Sequence, residues 1–209
     1  LPLAIELSKK QNCLISGVSL KRKLIGFDIN KERLEEINNG IDNTNEISKE
    51  ELNSAEIDYT NDISKISKAD VFIITVPTPI DNSNKPNLMP LESATITVAN
   101  ALKERANKNP SSIPIIIYES TVYPGATEEF CVPILEDNSK LIYNSPDPKK
   151  GFACGYSPER INPGDKNRKI RNIVKVTSGN NEEVANWIDQ LYGSVIKSGT
   201  YKAQSVKVA

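Results

Sequence analysis

The sequence predicts an α/β layered domain built on a mostly parallel, doubly wound sheet. Two observations carry this. The runs Ala69-Asp-Val-Phe-Ile-Ile-Thr-Val76 and Ile113 to Glu119 are too continuously apolar for half-exposed strands and read as strands covered on both faces, as parallel strands are. Stretches of helical periodicity follow each run, so strand and helix alternate along the chain.

Taken in order, LPLAIELSKK predicts a helix whose Leu1, Ala4, Ile5 and Leu7 share one face. Residues 11–22 are irregular and read as a loop, or with CLISGVS as a makeshift strand. Lys23-Leu-Ile-Gly-Phe-Asp28 is a short strand ending in an acid, after which Asn30 caps the helix KERLEEINNG and Gly40 stops it. A short helix near 48–55, a strand near 57–60 and a brief helix precede the buried run at 69–76. Pro77, Pro79, Pro86 and Pro90 mark a loop, and a helix is expected over about 91–107. Beyond the second buried strand come a helix over about 126–138, a loop at 139–150, and short strands near 152–156 and 173–177. Val184, Trp187, Ile188 and Leu191 space a helix over 181–192; a strand is expected at 195–197 and a further helix from Tyr201 onward.

Lys and Arg number 26 against 27 for Asp and Glu, so no basic field invites nucleic acid and no polybasic patch invites a membrane surface. No apolar run reaches the roughly 20 residues that span a bilayer. Membrane insertion is therefore not expected, no leader is read before the first helix, and the cytoplasm is the default address. Cys13, Cys131 and Cys154 are odd in number and widely spaced, which gives neither a disulfide framework nor metal-ligand spacing. There is no histidine. A metal site is not expected, and acid–base work falls to Asp, Glu, Lys, Tyr or water.

In a parallel α/β sheet ligands sit outside the carboxyl ends of the strands. Four segments stand there. Asp28, at the tip of the second strand of a Rossmann-like unit, suits both hydroxyls of a ribose and repels a 2′-phosphate, with Arg33 close enough to cover an adenine or reach a phosphate; the same two residues also suit a helix cap and a helix surface. Thr75-Val-Pro-Thr-Pro79 is a stiff loop poor in amide donors, suited to a wall beside a flat ring. Tyr118-Glu-Ser-Thr-Val-Tyr-Pro-Gly125 offers hydroxyls and amides for a water, oxyanion or phosphate, or caps for the next helix. Gly155-Tyr-Ser-Pro-Glu-Arg-Ile-Asn-Pro-Gly-Asp165 sets a candidate base beside a cation, or a plain loop ion pair.

The order and wording of ITVPTPI, YESTVYPG, CVPILE, GYSPERINPGDK and SGTYKAQSVKVA resemble the UDP-glucose/GDP-mannose dehydrogenase family, and within it the bacterial branch acting on UDP-N-acetylglucosamine or UDP-N-acetylmannosamine for capsule or O-antigen. The resemblance implies NAD as cofactor, a UDP-sugar as substrate, and oxidation of the sugar C6 alcohol to a carboxylate with two NAD through thiohemiacetal and thioester stages. Asp28 and Arg33 match the adenosine-ribose positions, Val76, Pro77 and Thr78 the loop along the cofactor, and Ser120 and Thr121 the pair beside nicotinamide and the catalytic water. Glu159 matches the glutamate that handles that water, and Arg160, Ile161 and Asn162 the segment gripping the nucleotide sugar. The implied catalytic residues are thus Thr121 and Glu159.

By the family's pattern, residues 1–198 form the NAD-binding domain and 199–209 begin a long inter-domain helix through which the whole enzyme forms a homodimer. Against that pattern the first strand and its Gly-rich turn are missing, as are the later lysine, asparagine and nucleophilic cysteine. The expectation is weak NAD affinity and no turnover by the chain alone. Two alternatives stay open: a non-catalytic remnant that binds a nucleotide sugar or a partner, and a UDP-glucose 6-dehydrogenase.

Overall fold

The computed structural model describes residues 1–80, 86–108, 110–159 and 172–209. Helix α1 (Pro2–Ser8) starts on a proline, whose missing N–H is no loss in a first turn, and buries Leu3, Ile5 and Leu7. Residues 11–22 are neither a loop nor a lone strand. They form a hairpin of β1 (Asn12–Ile15) and β2 (Val18–Lys21), turned by Ser16 and Gly17 at φ 50° and 76°, a left-handed pair that matches strand twist. Strand β3 (Leu24–Phe27) leads into α2 (Lys31–Asn38), where Asn30 caps by accepting the Arg33 N–H and Gly40 follows at φ 74°.

A reciprocal Ser48–Glu51 capping box opens α3 (Lys49–Ser54). Then come β4 (Ile57–Thr60), α4 (Ile63–Ile66), β5 (Val71–Ile74), α5 (Met89–Ala106) and β6 (Ile115–Tyr118). The helix expected over 126–138 begins instead as a π-helical turn, Thr127–Cys131, before α6 (Val132–Ser139). Pro133 explains it: proline has no N–H for the carbonyl four residues back and crowds that carbonyl, so the preceding turn widens and Val132 N–H reaches Thr127 O. Last come β7 (Ile142–Tyr143), β8 (Gly151–Tyr156), β9 (Lys175–Gly179), α7 (Glu182–Gly193) and β10 (Thr200–Lys202).

Two end expectations need correction. Residues 195–197 are a turn, because the N–H groups of Val195 and Ile196 both donate to Tyr192 O and cap α7. The strand comes later, after Gly199 at φ 83° reverses the chain. From Tyr201 the chain therefore continues as strand, and the first helical bond is that from Ala209 N–H to Ser205 O.

Strands β5, β6 and β8 pair in parallel; β9 joins β8 antiparallel, β10 joins β9 in parallel, and β7 adds to the start of β8. Strands β3 and β4 form a separate parallel pair. Among the described residues β3 pairs only with β4 and β5 only with β6. Alternation along β5 and β6 divides the core. Phe72, Ile74, Ile116 and Tyr118 face α5 and α6, with Leu91, Leu102, Leu135 and Phe152. Val71, Ile73, Ile115 and Ile117 face α7, α1 and the hairpin, with Ile188, Leu191, Leu3 and Ile15. Helices thus cover both faces.

Gly155 sits where α7 crosses β8: a Cβ there would lie 2.2 Å from Ile188 Cδ1 and 2.6 Å from Ser178 O. The side chain can shift, but the backbone carbonyl cannot without breaking the β8–β9 pair. Gly155→Ala is expected to destabilise by about 1–3 kcal/mol in urea unfolding; an unchanged midpoint would mean that α7 sits less tightly on the sheet than described.

Candidate functional site

Parallel pairing puts the carboxyl ends of β5, β6 and β8 at one edge, and the loops leaving them are bonded in series. Glu119 N–H donates to Ile74 O at 2.9 Å and Ser157 N–H to Tyr118 O at 2.9 Å, which extends the ladder past the strands. Next, Ser120 Oγ donates to Val76 O at 2.6 Å and Thr78 Oγ1 to Thr121 O at 2.7 Å. On the other side Glu159 N–H donates to Glu119 O at 3.2 Å. The structure thus brings Val76, Pro77, Thr78, Ser120, Thr121 and Glu159 onto one rim. Neither Ser120 nor Thr121 caps the following helix, whose first turn has no side-chain cap. Their hydroxyls and carbonyls serve the rim, with Thr121 and Glu159 exposed on it.

Asp28 ends the β3–β4 pair. Its N–H donates to Thr60 O at 3.2 Å, and its Oδ1 accepts the Asn30 N–H at 2.8 Å. Since Asn30 is the cap of α2, Asp28 is not spent on capping, and its second oxygen takes no bond from another described residue. Arg33 is differently committed. Its Nη2 is hydrogen-bonded to Asp42, whose side chain is fully buried, and its Nη1 lies 3.5 Å from Glu36 Oε2 without making a hydrogen bond. Asp42 also accepts from the N–H groups of Thr44, Glu46 and Ile47 and from the Thr44 hydroxyl. Burial opposes its charge, yet Arg33, Thr44 and the backbone donors outweigh burial and hold the carboxyl at about 2.

Beneath the rim is an ion pair that sequence reading missed. Glu119 accepts from the Tyr192 hydroxyl, and its Oε1 lies 3.2 Å from Lys175 Nζ. The same Nζ donates to Ser157 O and Pro158 O, each at 3.2 Å, and stands 5.4 Å from the centre of the Tyr192 ring. Burial raises the Glu119 carboxyl, with Lys175 and Tyr192 opposing it, and burial likewise pushes the Tyr192 phenol well up. The one signal available in the sequence was a lysine inside an apolar strand, Ile173-Val-Lys-Val176.

Arg160, Ile161 and Asn162 lie outside the described residues. Cys13, Cys131 and Cys154 are free and buried. Burial lifts the Cys131 thiol to about 11 and the Cys154 thiol well above its ordinary value, so both stay protonated and serve as small apolar side chains. Among the described residues no cluster of three or more His, Cys, Asp or Glu is placed for a metal, and no helix is long and apolar enough to cross a membrane.

A family model described as UDP-glucose/GDP-mannose dehydrogenase family, NAD binding domain, matches residues 13–196. The whole chain aligns at 47% identity with a UDP-N-acetyl-D-glucosamine 6-dehydrogenase of Pseudomonas aeruginosa and covers 44% of that protein. With the protein CapL of Staphylococcus aureus it shares 48% identity over 90% of its length and 42% of the relative's. A solved structure of a UDP-D-ManNAc dehydrogenase from Pyrococcus horikoshii aligns at TM-score 0.77 and 26% identity, over 99% of this chain and 45% of that one. The chain spans less than half the length of the curated relatives it matches.

The Asp42 cluster fixes a pH dependence. A carboxyl whose folded pKa of about 2 lies below its ordinary 3.8 stabilises the fold above pH 4 and loses that contribution as pH falls through about 2. The contribution is on the order of 2 kcal/mol. Urea unfolding between pH 4 and 2 should therefore fall more steeply for the native chain than for Asp42→Asn; parallel slopes would show that Asp42 titrates normally.

Proposed function

The chain belongs to the UDP-glucose/GDP-mannose dehydrogenase family through its NAD-binding domain, and from that premise we propose that it is the cofactor-binding part of a nucleotide-sugar 6-dehydrogenase. The matched domain makes NAD the cofactor. We assign as substrate a UDP-N-acetylhexosamine, whose C6 alcohol is oxidised to a carboxylate for capsule or O-antigen synthesis in the cytoplasm. The activity belongs to a longer protein, in which residues 199–209 lead into an inter-domain helix and a homodimer. The observation that carries this reading is the bonded rim joining Thr78, Thr121 and Glu159 at the carboxyl ends of β5, β6 and β8.

The residues present fit the cofactor. The Asp28 carboxylate oxygen that takes no bond from the described residues sits at a strand tip, suits ribose hydroxyls and would meet a 2′-phosphate with like charge. Val76, Pro77 and Thr78 form a wall held by Ser120 and Thr121. Arg33, whose guanidinium is held by the buried Asp42, is assigned to the adenosine by resemblance alone. Held by Asp28 and the Val76–Thr78 wall, NAD would supply the hydride acceptor for the two oxidations, one molecule for each. Thr121, exposed on the rim, supplies a hydroxyl to the reacting oxygen or its water. Glu159, exposed on the rim, is the group we assign to take a proton from the attacking water during release of the carboxylate. Arg160, Ile161 and Asn162 are assigned to the nucleotide sugar by resemblance alone. None of the three cysteines serves as nucleophile, since all are buried.

Expressed in its full reading frame, the protein should form NADH with UDP-N-acetylglucosamine or UDP-N-acetylmannosamine, and Glu159→Gln should lower kcat by about 100-fold or more with KM for NAD little changed. No NADH with any UDP-sugar would overturn the reading, and a clear preference for UDP-glucose would move the substrate assignment to that sugar.

A further inference from the structure

Lys175 and Glu119 are almost wholly buried, with side chains 6% and 1% exposed. A buried ion pair seldom stabilises a fold more than well-packed apolar side chains of the same volume would. Stability alone therefore does not account for its place. The contacts suggest what does: the ammonium donates to Ser157 O and Pro158 O, and Glu119 Oε1 lies 3.2 Å from the same nitrogen. Two successive carbonyls turned to one cation fix the peptide planes on both sides of Pro158. Glu159 is the next residue, and its own N–H returns to Glu119 O, the backbone of the residue whose carboxylate seats the lysine. Tyr192, from α7, donates to the same Glu119 oxygen, Oε1, that faces the lysine, while Ser157 Oγ donates to Val176 O at 2.6 Å on the lysine's own strand.

We propose that Lys175, seated by Glu119 and Tyr192, is a positioning residue that fixes the Ser157–Glu159 turn and so aims the Glu159 carboxylate. This rests on the dehydrogenase reading for its catalytic consequence, and on the hydrogen bonds alone for the clamp itself. Lys175 touches neither cofactor nor sugar; it acts through the turn. If Glu159 handles the water, loosening the turn slows hydrolysis and spares the hydride transfers before it.

The test uses the full reading frame with Lys175→Met, Lys175→Arg, Tyr192→Phe and the double variant Glu119→Gln/Lys175→Met, which removes both charges and leaves none buried alone. Lys175→Met and the double variant should lose about 100-fold in steady-state kcat, as misplacement of a catalytic group by about 1 Å does. The rapid first burst of NADH should persist, KM for NAD should stay within about two-fold, and Lys175→Arg should recover part of kcat. Unchanged kcat in the folded double variant, or burst and steady state falling together, would overturn the proposal. Amide hydrogen exchange of the 209-residue chain itself separates this from a failure of the dehydrogenase reading. Should no UDP-sugar yield NADH, the Glu159 amide should still exchange about ten-fold faster in the double variant, while the amides of β5 and β6 stay protected. Equal exchange at Glu159 would sink the clamp whatever the enzyme's substrate.

Discussion

Everything at the candidate site depends on the parallel ladder of β5, β6 and β8 continuing past the strands as bonds between loops. Parallel pairing by itself aligns strand ends to within a residue or two, too coarse for chemistry. Here the ladder is extended by Glu119 N–H to Ile74 O and Ser157 N–H to Tyr118 O, then by hydroxyl bonds from Ser120 to Val76 and from Thr78 to Thr121. A Pro-rich loop cannot supply these bonds from its own backbone, because proline has no N–H. The hydroxyl of Thr78 fills that deficit, which gives a physical reason for a Thr between two prolines, and the Ser120 hydroxyl adds a bond in the other direction, to the Val76 carbonyl.

Charge is distributed accordingly. The molecule is nearly neutral and without histidine, so its electrostatics are local. One buried carboxylate, Asp42, is satisfied by Arg33 and backbone donors and braces the residue that follows Asp28 into α2. The other, Glu119, is satisfied by a tyrosine and a lysine that also grips the turn before Glu159. Both lie directly under functional candidates, and both desolvated charges are compensated within a single contact shell.

Much of this was legible in the sequence. The runs at 69–76 and 113–119 announced strands covered on both faces, and Asn30 and Gly40 announced the ends of α2, because those signals are local. The wording of YESTVYPG and GYSPERINPGDK carried the family, which no periodicity could have done. What escaped was set by distant partners or by one residue's geometry. Ser16-Gly17 makes a hairpin because both residues adopt left-handed backbone and α7 offers Cys13 and Ile15 a place to bury. Pro133 turns a helix start into a π turn. The apolar pair Val195-Ile196 read as strand, yet Tyr192 O takes their N–H groups, and β10 forms only after Gly199. Arg33 looked free to reach a ligand until Asp42, nine residues away, was seen to hold it. Lys175 lay among apolar residues with nothing nearby in sequence to reveal that its partners are 18 and 56 positions back, at Ser157 and Glu119.

We propose that Asp28, Thr78 and Thr121, each just past the end of a different strand, face one cofactor. Titration of the ¹⁵N-labelled chain with millimolar NAD tests it most directly. With one shared cofactor site, the amides which shift should be those of Asp28, Val76, Thr78, Ser120 and Thr121, moving together along one binding curve, while the exposed edge of β10 stays still. Shifts confined to a single one of these loops, or gathered on the hairpin or on β10, would contradict it.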